Sequence, residues 1–323
     1  MKQHFLQSTT WEQYEKTTGH QTFRLTGDGF EVMAILKSTP IGKYLFCPYG
    51  PTIYTKDGLP ASLNALRDLA REQQAFFVRI EPTVPLASTD EDRSPLAFSV
   101  ANFQELHLCK SHDIDPAHTW QLSLEADTET LFKDMETSKG RAWRNAAKRH
   151  LSIRQSTNPD DVAILSRLLQ QIGEQDNFIP QSEQHLRDQI TAGFATLYIA
   201  EQSAPDSETT PVAAALFYDY DGLRFYAHAA ADNNYRKIAP GTVIIVQAIL
   251  DAKAAGSKIF DFWGITTSTD SKHPWYGFTT YKKSFGGYQV DYAGTWDLPL
   301  NRFKYSLYGL IRKLNRSLRK IHH

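Results

Sequence analysis

Arg236-Lys-Ile-Ala-Pro-Gly241 and the segments on either side of it carry the clearest fold signal in the chain. The strand-like stretch Leu223–Ala230 precedes this turn, and Gly241–Ala255 after it has the length and apolar content of a helix. Gly256 is a natural stop for that helix. Lys258–Gly264 then has the pattern of a strand with a buried centre. The order strand, turn, helix, strand predicts an α/β unit.

The first half of the chain follows a similar order. Thr22–Leu36 alternates like two strands, with Gly27-Asp-Gly29 as their hairpin turn. Leu59–Gln74 has helical apolar spacing, and Ala75–Pro82 is typical of a buried strand. The segment Thr119–Leu124 is expected to open a second unit. Both halves therefore indicate mixed α/β units, which predicts two related domains in one chain.

Composition narrows the possible function classes. The chain has 323 residues, long for a single hydrophobic core, and its formal net charge of −1 argues against a generic polyanion binder. Cys47 and Cys109 both resemble buried strand ends without a partner at metal-ligand spacing, so we expect reduced thiols and no metal site. No segment has the pattern of a signal peptide or a membrane span, so the expected location is cytoplasmic.

One basic segment lies near the middle of the chain. Residues 139–154 contain no acidic side chain, and a helix is expected over Lys139–Arg149. Arg141, Arg144 and Lys148 follow the spacing i, i+3, i+7, which would place them on one helix face. Such a face is either simply solvated or binds a phosphate-bearing ligand or an RNA backbone. The lack of acidic residues favours binding.

The C-terminal segment Asn301–His323 is also basic. It contains seven Lys or Arg residues and no acidic residue, and its apolar residues recur at helical spacing. A basic amphipathic helix of this kind docks on its own protein, on an anionic lipid surface or on RNA. The pattern leaves docking on the protein and peripheral membrane contact open. The apolar residues are Phe303, Leu307, Leu310, Ile311, Leu314, Leu318 and Ile321.

A third motif is Phe278-Thr-Thr-Tyr-Lys-Lys-Ser-Phe-Gly-Gly287. Paired lysines between aromatic residues are poor material for a core and poor material for a linker. A cation presented beside an α/β unit instead suggests acyl transfer, because negative charge develops on an oxygen in that reaction.

The turn Arg236–Gly241 resembles the turn by which N-acetyltransferase folds bind a pyrophosphate at a helix N-terminus. Pro240 removes one backbone donor and Ala239 stands where a glycine is usual, so the scaffold is favoured without coenzyme A. Arg236 in the turn and Tyr226 on the preceding strand are candidate substrate-binding residues. His228 on the same strand is also a candidate, although a half-buried histidine without a catalytic role is the commoner case.

The chain resembles the Fem family of peptidyltransferases over nearly its whole length. Each landmark is weak alone, but their order and spacing are specific. Family members transfer an amino acid from an aminoacyl-tRNA to the stem peptide of a peptidoglycan precursor. The landmarks are Leu6-Gln-Ser-x-x-Trp11, Gly50-Pro51, Arg79-Ile-Glu81-Pro82, Pro116-x-His-Thr119-Trp120-x-Leu122-x-Leu124, Lys139–Arg149, Arg236–Gly264, Gly277-Phe-x-x-Tyr281-Lys282-Lys283-x-Phe285-Gly286-Gly287 and Gly294-x-Trp-Asp297-Leu298-Pro299-Leu300.

For the fold, the resemblance implies a mixed α/β protein with two tandem GNAT-like (acyl-coenzyme A N-acyltransferase fold) domains and mixed central sheets. The first would comprise residues 1–120 with 291–323, and the second residues 121–290. The resemblance is to the compact FemX-type form, which lacks the long helical arm of other members.

For the site, the resemblance implies that Tyr281 and Lys282 lie at the reaction centre, although the family usually has Phe at the first position. The family's phosphate-holding basic positions look like Gln13 and Thr196 here. Arg141, Arg144 or Lys148 would then hold the phosphates instead.

The expected function is therefore an aminoacyltransferase that builds an interpeptide bridge on UDP-MurNAc-pentapeptide or lipid II. Aminoacyl-tRNA would be the co-substrate, no further cofactor is expected, and the enzyme would act as a monomer. Lys282 would stabilise the developing oxyanion, whereas Lys283, on a strand, would point to the opposite side. Glu81 or a substrate carboxylate would accept the proton of the attacking amine.

Two alternatives remain open on this sequence. One is an N-acyltransferase of the same fold that uses acyl-coenzyme A. The other is a non-catalytic module that binds tRNA or a membrane through its basic segments.

Overall fold

The computed structural model describes residues 2–86, 96–176, 179–203 and 208–321, and all their side chains except those of 175–176 and 314–321. The chain divides into two compact units. The first comprises Met1–Ala117 and Asp291–His323, and the second His118–Val290. The sequence analysis placed this division at residues 120/121 and 290/291.

Helices and strands alternate in both units. The helices are α1 (Thr9–Thr17), α2 (Gly58–Glu72), α3 (Val100–Glu105), α4 (Thr128–Asp134), α5 (Thr137–Arg144), α6 (Val162–Asp176), α7 (Glu183–Thr191), α8 (Pro240–Ala254), α9 (Tyr276–Lys283) and α10 (Arg302–Ile321). The strands are β1 (Gln21–Gly27), β2 (Phe30–Thr39), β3 (Gly42–Cys47), β4 (Thr52–Ile53), β5 (Ala75–Ile80), β6 (Cys109–Lys110), β7 (His118–Ser123), β8 (Leu151–Ser156), β9 (Ala195–Gln202), β10 (Thr210–Tyr220), β11 (Leu223–Ala231), β12 (Ile259–Gly264), β13 (Tyr288–Asp291) and β14 (Trp296–Pro299).

The first unit is built on a sheet with the order β1-β2-β3-β5-β14-β6, and β4 pairs with β2. β3 and β5 are parallel, and α2 makes the crossover between them. The other pairings are antiparallel. Leu59, Leu63 and Leu66 of α2 are fully buried, as the helical spacing predicted. The hairpin between β1 and β2 also forms where the sequence placed it.

The second unit is built on a sheet with the order β13-β7-β12-β11-β10-β9-β8. β11 and β12 are parallel, and α8 makes the crossover between them. Most of α8 is buried, which explains why its sequence is apolar on all sides rather than on one stripe. The predicted order of strand, turn, helix and strand is confirmed, as is a mixed sheet in each half.

The predicted basic helix over Lys139–Arg149 is wrong in extent. α5 ends at Arg144, and Ala147–Arg149 forms a separate 3₁₀ turn. The chain must turn here because Leu151, which is buried, begins β8. His150 makes that turn in a left-handed conformation, with φ 54°.

The expectation for Cys109 is also wrong. Cys47 is buried in β3, but Cys109 is exposed. β6 has only two residues and pairs with β14 alone, so both of its side chains face outwards. A two-residue edge strand has too little sequence to show which face it buries.

The 278–287 motif is a helix end and not a strand. Successive residues of a helix are rotated by about 100°, so Lys282 and Lys283 diverge without pointing to opposite sides. Phe285 is fully buried against Phe262, contrary to the view that this motif is poor core material. Gly287 has φ +102° and lies so close to the carbonyl of Gln121 that a Cβ would collide with it. The Phe-Gly-Gly sequence therefore closes the core where β13 meets β7.

Candidate functional site

A cavity of about 300 Å³ lies in the second unit beside the first turn of α8. Alanines of β10 and β11 line much of its wall. Tyr226 of β11, Gly241 of α8, and Phe278 and Tyr281 of α9 are among its other lining residues. The fold thus brings two of the predicted residues, Tyr226 and Tyr281, to one cavity.

The start of α8 faces this cavity. Ala239 precedes the helix in a left-handed conformation with φ 52° and ψ 51°, and Pro240 is the first helical residue. A Cβ on Gly241 would lie 3.9 Å from both the Ala231 methyl and the Tyr281 hydroxyl. The missing side chain therefore keeps open the space between α8, β11 and α9.

The hydroxyl of Tyr281 lies 3.2 Å from that of Thr242, in the first turn of α8. Burial raises the pKa of this phenol to about 12, although the Thr242 hydrogen bond opposes the shift. The phenol is therefore protonated at neutral pH and can donate a hydrogen bond. Its ring packs edge-on against Phe285, at 5.2 Å between ring centroids.

Lys282 projects from the next position of α9. Its ammonium donates to the carbonyl of Gly264, at 2.6 Å, and the side chain is half-buried. Burial lowers the pKa of this ammonium to about 8, while the nearby Asp261 carboxylate raises it. Lys282 is not among the described residues that line the cavity, so the two predicted catalytic side chains occupy neighbouring faces of one helix.

Asp261 on β12 is buried, and both of its carboxylate oxygens accept hydrogen bonds. It accepts hydrogen bonds from the hydroxyl of Thr119, the amide of Gln121 at 2.9 Å and the backbone N–H of Trp263 at 2.7 Å. Burial raises its pKa, and the donors and Lys282 oppose that shift. Asp261 was not predicted as a site residue because a single acid within an apolar strand has no local signature.

Lys139 is a second residue that sequence reasoning did not assign to the site. Its ammonium lies over the ring of Tyr281, 5.1 Å from the centroid, and over that of Phe285 at 5.8 Å. A cation at this distance from aromatic faces is attracted by their quadrupoles. Lys139 therefore links the start of the basic segment to the aromatic side of the site.

The three basic residues predicted to bind phosphate are all exposed. Arg141 and Arg144 lie on α5, and the guanidinium of Arg144 stacks over the Phe132 ring at 5.5 Å. Lys148 lies on the separate 3₁₀ turn, so the expectation of one helix face carrying all three is wrong. Their role in binding a ligand stays a prediction.

The remaining candidates of the second unit differ in environment. Arg236 is exposed in the 3₁₀ segment Asn233–Ile238. Burial raises the pKa of Tyr226, as does the nearby Tyr281. Burial lowers the pKa of His228 to about 4, and its ring packs edge-on against Tyr218. His228 is therefore neutral at pH 7 and a weak proton acceptor.

Glu81 belongs to the first unit, where it is buried at the end of β5. Its Oε1 accepts from the hydroxyl of Thr295 at 2.5 Å and from the backbone N–H groups of Ile114 and Asp115. Its other oxygen, Oε2, is buried and accepts no hydrogen bond from the described residues. Burial and the neighbouring Glu81 carboxylate hold the pKa of Asp115 well above its usual range.

Nothing in the described ranges resembles a metal centre or a membrane span. Those residues contain no group of three or more His, Cys, Asp or Glu side chains that could hold a metal ion. None of the helices there combines the length and the apolar content needed to cross a bilayer.

Sequence comparison places the chain among known proteins. Residues 1–193 and 188–313 match the FemAB family. The lipid II:glycine glycyltransferase of Staphylococcus saprophyticus is 22% identical over 395 aligned positions, which cover 98% of this chain and 94% of the relative. The protein of the same name from Staphylococcus aureus is 21% identical over 392 positions, with 98% and 92% covered.

Structural comparison gives the same picture of the fold. The crystal structure of FemX superimposes with a TM-score of 0.80 at 18% identity and covers 94% of each chain. A tandem GNAT protein from the clavulanic acid biosynthesis pathway superimposes with a TM-score of 0.52 at 12% identity, over 84% of this chain and 79% of that one. The expected pair of GNAT-like domains with mixed sheets is thereby confirmed.

Proposed function

The chain belongs to the FemAB family and is an acyltransferase of the FemXAB type, and from that premise we propose that it transfers an amino acid from aminoacyl-tRNA to a peptidoglycan precursor. The acceptor would be an amine of the stem peptide, and the product an interpeptide bridge. The observation that carries this proposal is the half-buried ammonium of Lys282, which follows the cavity-lining Tyr281 on the same helix.

The names of the relatives support lipid II as the acceptor and glycine as the amino acid. Lipid II is the lipid-linked alternative to UDP-MurNAc-pentapeptide, so the enzyme would work at the inner face of the cell membrane. Aminoacyl-tRNA is the proposed co-substrate, and no other cofactor is required because the ester that joins amino acid and ribose is already activated.

The reaction proceeds by attack of the neutral stem-peptide amine on the ester carbonyl. The carbon–nitrogen bond of the new amide forms, and the bond to the ribose oxygen breaks. The amine loses a proton and the ribose oxygen gains one. Negative charge develops first on the carbonyl oxygen and then on the departing oxygen, and an ammonium group beside either one lowers the barrier.

Lys282 suits this role through its environment. The Gly264 carbonyl holds one of its three protons and leaves the others for the substrate. Because burial has lowered its pKa to about 8, the group is charged at pH 7 and still able to pass a proton to the leaving oxygen. Tyr281 would orient the aminoacyl group from the alanine-lined cavity.

The proton acceptor for the attacking amine would be a carboxylate of the substrate itself. Glu81, the other candidate, is buried in the first unit, where its Oε1 already accepts three hydrogen bonds. Its Oε2 is enclosed as well, so neither oxygen is open to an approaching amine.

The test is incubation of the protein with a pool of charged tRNAs and either lipid II or UDP-MurNAc-pentapeptide, followed by mass spectrometry of the stem peptide. We expect the mass of one amino acid to be added to one of the two acceptors. Extension with acetyl-coenzyme A instead of charged tRNA would establish the coenzyme-dependent alternative. Binding of tRNA without any extension would establish a non-catalytic module.

A further inference from the structure

Over residues 302–313, whose side chains the structure describes, the C-terminal helix α10 contacts the first unit through the face that carries Tyr305 and Tyr308. The hydroxyl of Tyr305 donates to Asp297 at 2.8 Å. One turn later, Tyr308 packs on Phe77, with 5.3 Å between ring centroids. Tyr305 and Tyr308 form the inner face of the helix. Their contacts confirm that the helix docks on its own protein, which was one of the two interpretations of the sequence.

The opposite face of α10 carries large apolar side chains in solvent. Phe303, Leu307 and Leu310 have exposed fractions of 80%, 38% and 55%. At about 100° per residue they form one narrow stripe, which lies about 180° from Tyr305 and Tyr308. We call these three residues the outer face. In the sequence the same spacing continues through residues 314, 318 and 321, which are Leu, Leu and Ile.

Cations flank the outer face on both sides. Arg302 and Lys313 lie about 90° to one side of the stripe and Lys304 about 90° to the other, and all three are exposed. The segment 301–323 contains seven Lys or Arg residues and no acid. Because the whole chain carries 35 basic and 36 acidic residues, the rest of the protein is acidic on balance. The segment 301–323 therefore carries a local excess of positive charge on a protein whose remaining residues are acidic on balance.

We propose that α10 is a membrane-docking helix that inserts its outer face into an anionic lipid surface. An apolar stripe between two rows of cations matches the boundary between acyl chains and negatively charged headgroups. A second copy that docked by its own outer face would present the same positive charge and be repelled. An RNA backbone would pair with the cations but leave the apolar stripe in water. This inference does not depend on the proposed reaction.

The experiment is co-sedimentation of the full chain with vesicles of phosphatidylcholine, either alone or with phosphatidylglycerol. We expect binding to the vesicles that contain phosphatidylglycerol and little to phosphatidylcholine alone. The variant F303S/L307S/L310S should bind at least about tenfold more weakly. The variant R302E/K304E/K313E should also bind more weakly, by about fivefold per cation removed, and should lose most of its sensitivity to salt.

The matched control is Ile114→Ser, which removes an exposed apolar side chain elsewhere in the first unit. It should bind like the unchanged protein. Circular dichroism and thermal unfolding verify that each variant is folded. Equal sedimentation of the unchanged protein and the outer-face variant would overturn the proposal, as would failure of the unchanged protein to bind either vesicle. Self-association in light scattering that the outer-face variant abolishes would show that a second copy is the occupant instead.

Discussion

The ammonium of Lys282 donates a 2.6 Å hydrogen bond to the carbonyl of Gly264, the last residue of β12. This bond fixes the position of a half-buried cation by means of a backbone atom that mutation cannot remove. The same strand carries Asp261, whose negative charge raises the pKa of Lys282 and so opposes the lowering caused by burial. Residues of α9 and β12, which are separate in sequence, thus together fix the position and the pKa of the Lys282 ammonium.

Replacing Lys282 with alanine should lower the rate of aminoacyl transfer by about 10²–10³-fold, because one charge-stabilising donor is lost at the reacting oxygen. The rate is measured with charged tRNA and the acceptor identified above. Lys283→Ala is the matched control, since Lys283 is exposed and lies over the Trp120 ring. Equal losses in the two variants would contradict the assignment, provided that both melt at the temperature of the unchanged protein.

Transfer that depends on charged Lys282 should decline as the pH rises through about 8, where this ammonium loses its proton. The acceptor amine titrates as well, so the useful quantity is the ratio of Asp261→Asn to unchanged rates at each pH. Removing the Asp261 charge lowers the lysine pKa further, and the ratio should therefore fall between pH 6 and 8. A ratio that does not vary with pH in a folded variant would refute the coupling.

Tyr281→Phe should lower the activity by only about fivefold, because it removes only the hydrogen bond to Thr242 and keeps the ring. Tyr281→Ala should lose considerably more, since it also removes the contacts with Phe285 and Lys139. Initial rates of both variants give the comparison. If phenylalanine were as damaging as alanine, the hydroxyl and not the ring would be the essential part.

Ala231→Leu should fill part of the cavity and lower transfer by up to about 10²-fold, because a substrate displaced by a small distance loses its reactive geometry. Ala254→Leu makes the same chemical change at an exposed position at the end of α8. This control should transfer at the unchanged rate. Full activity of Ala231→Leu would show that the acyl group does not occupy this cavity.

The Glu81–Asp115 pair should make the stability of the first unit depend on pH. The raised pKa means that folded Asp115 binds its proton more tightly than the unfolded chain does, above the ordinary aspartate pKa of about 3.9. The free energy of unfolding therefore falls as pH rises from that value through the raised pKa. Asp115→Asn supplies a permanent donor to Glu81 and should remove this part of the decline.

Urea denaturation at several pH values between 4 and 8 measures the effect. The difference in unfolding free energy between Asp115→Asn and the unchanged protein should increase with pH. Asp134→Asn, at an exposed carboxyl in the second unit, serves as the control and should show no such trend. Parallel curves for all three proteins would mean that Asp115 does not bind its proton more tightly in the folded protein.

Local patterns were sufficient for much of the fold. Apolar spacing or turn residues along the chain were enough to predict several elements. These are the hairpin between β1 and β2, the helices α2 and α8 and the strand β12. The paired lysines between aromatic residues drew attention to the 278–287 motif, and the family resemblance pointed to Tyr281 and Lys282 within it. Their helical setting could not be predicted from eight residues, and the strand expected for Lys283 was wrong.

The sequence by itself determined the mixed α/β class, the order of elements and the positive charge of the C-terminal helix, since each of these depends on neighbours along the chain. Only the tertiary structure decided that Asp261 lies near Lys282, that Lys139 covers Tyr281, that Glu81 raises the pKa of Asp115 and which face of α10 remains in solvent. Those relationships join residues from separate elements. They arise when folding brings side chains that are distant in sequence close together, and the local spacing of residues along the chain does not predict such pairs.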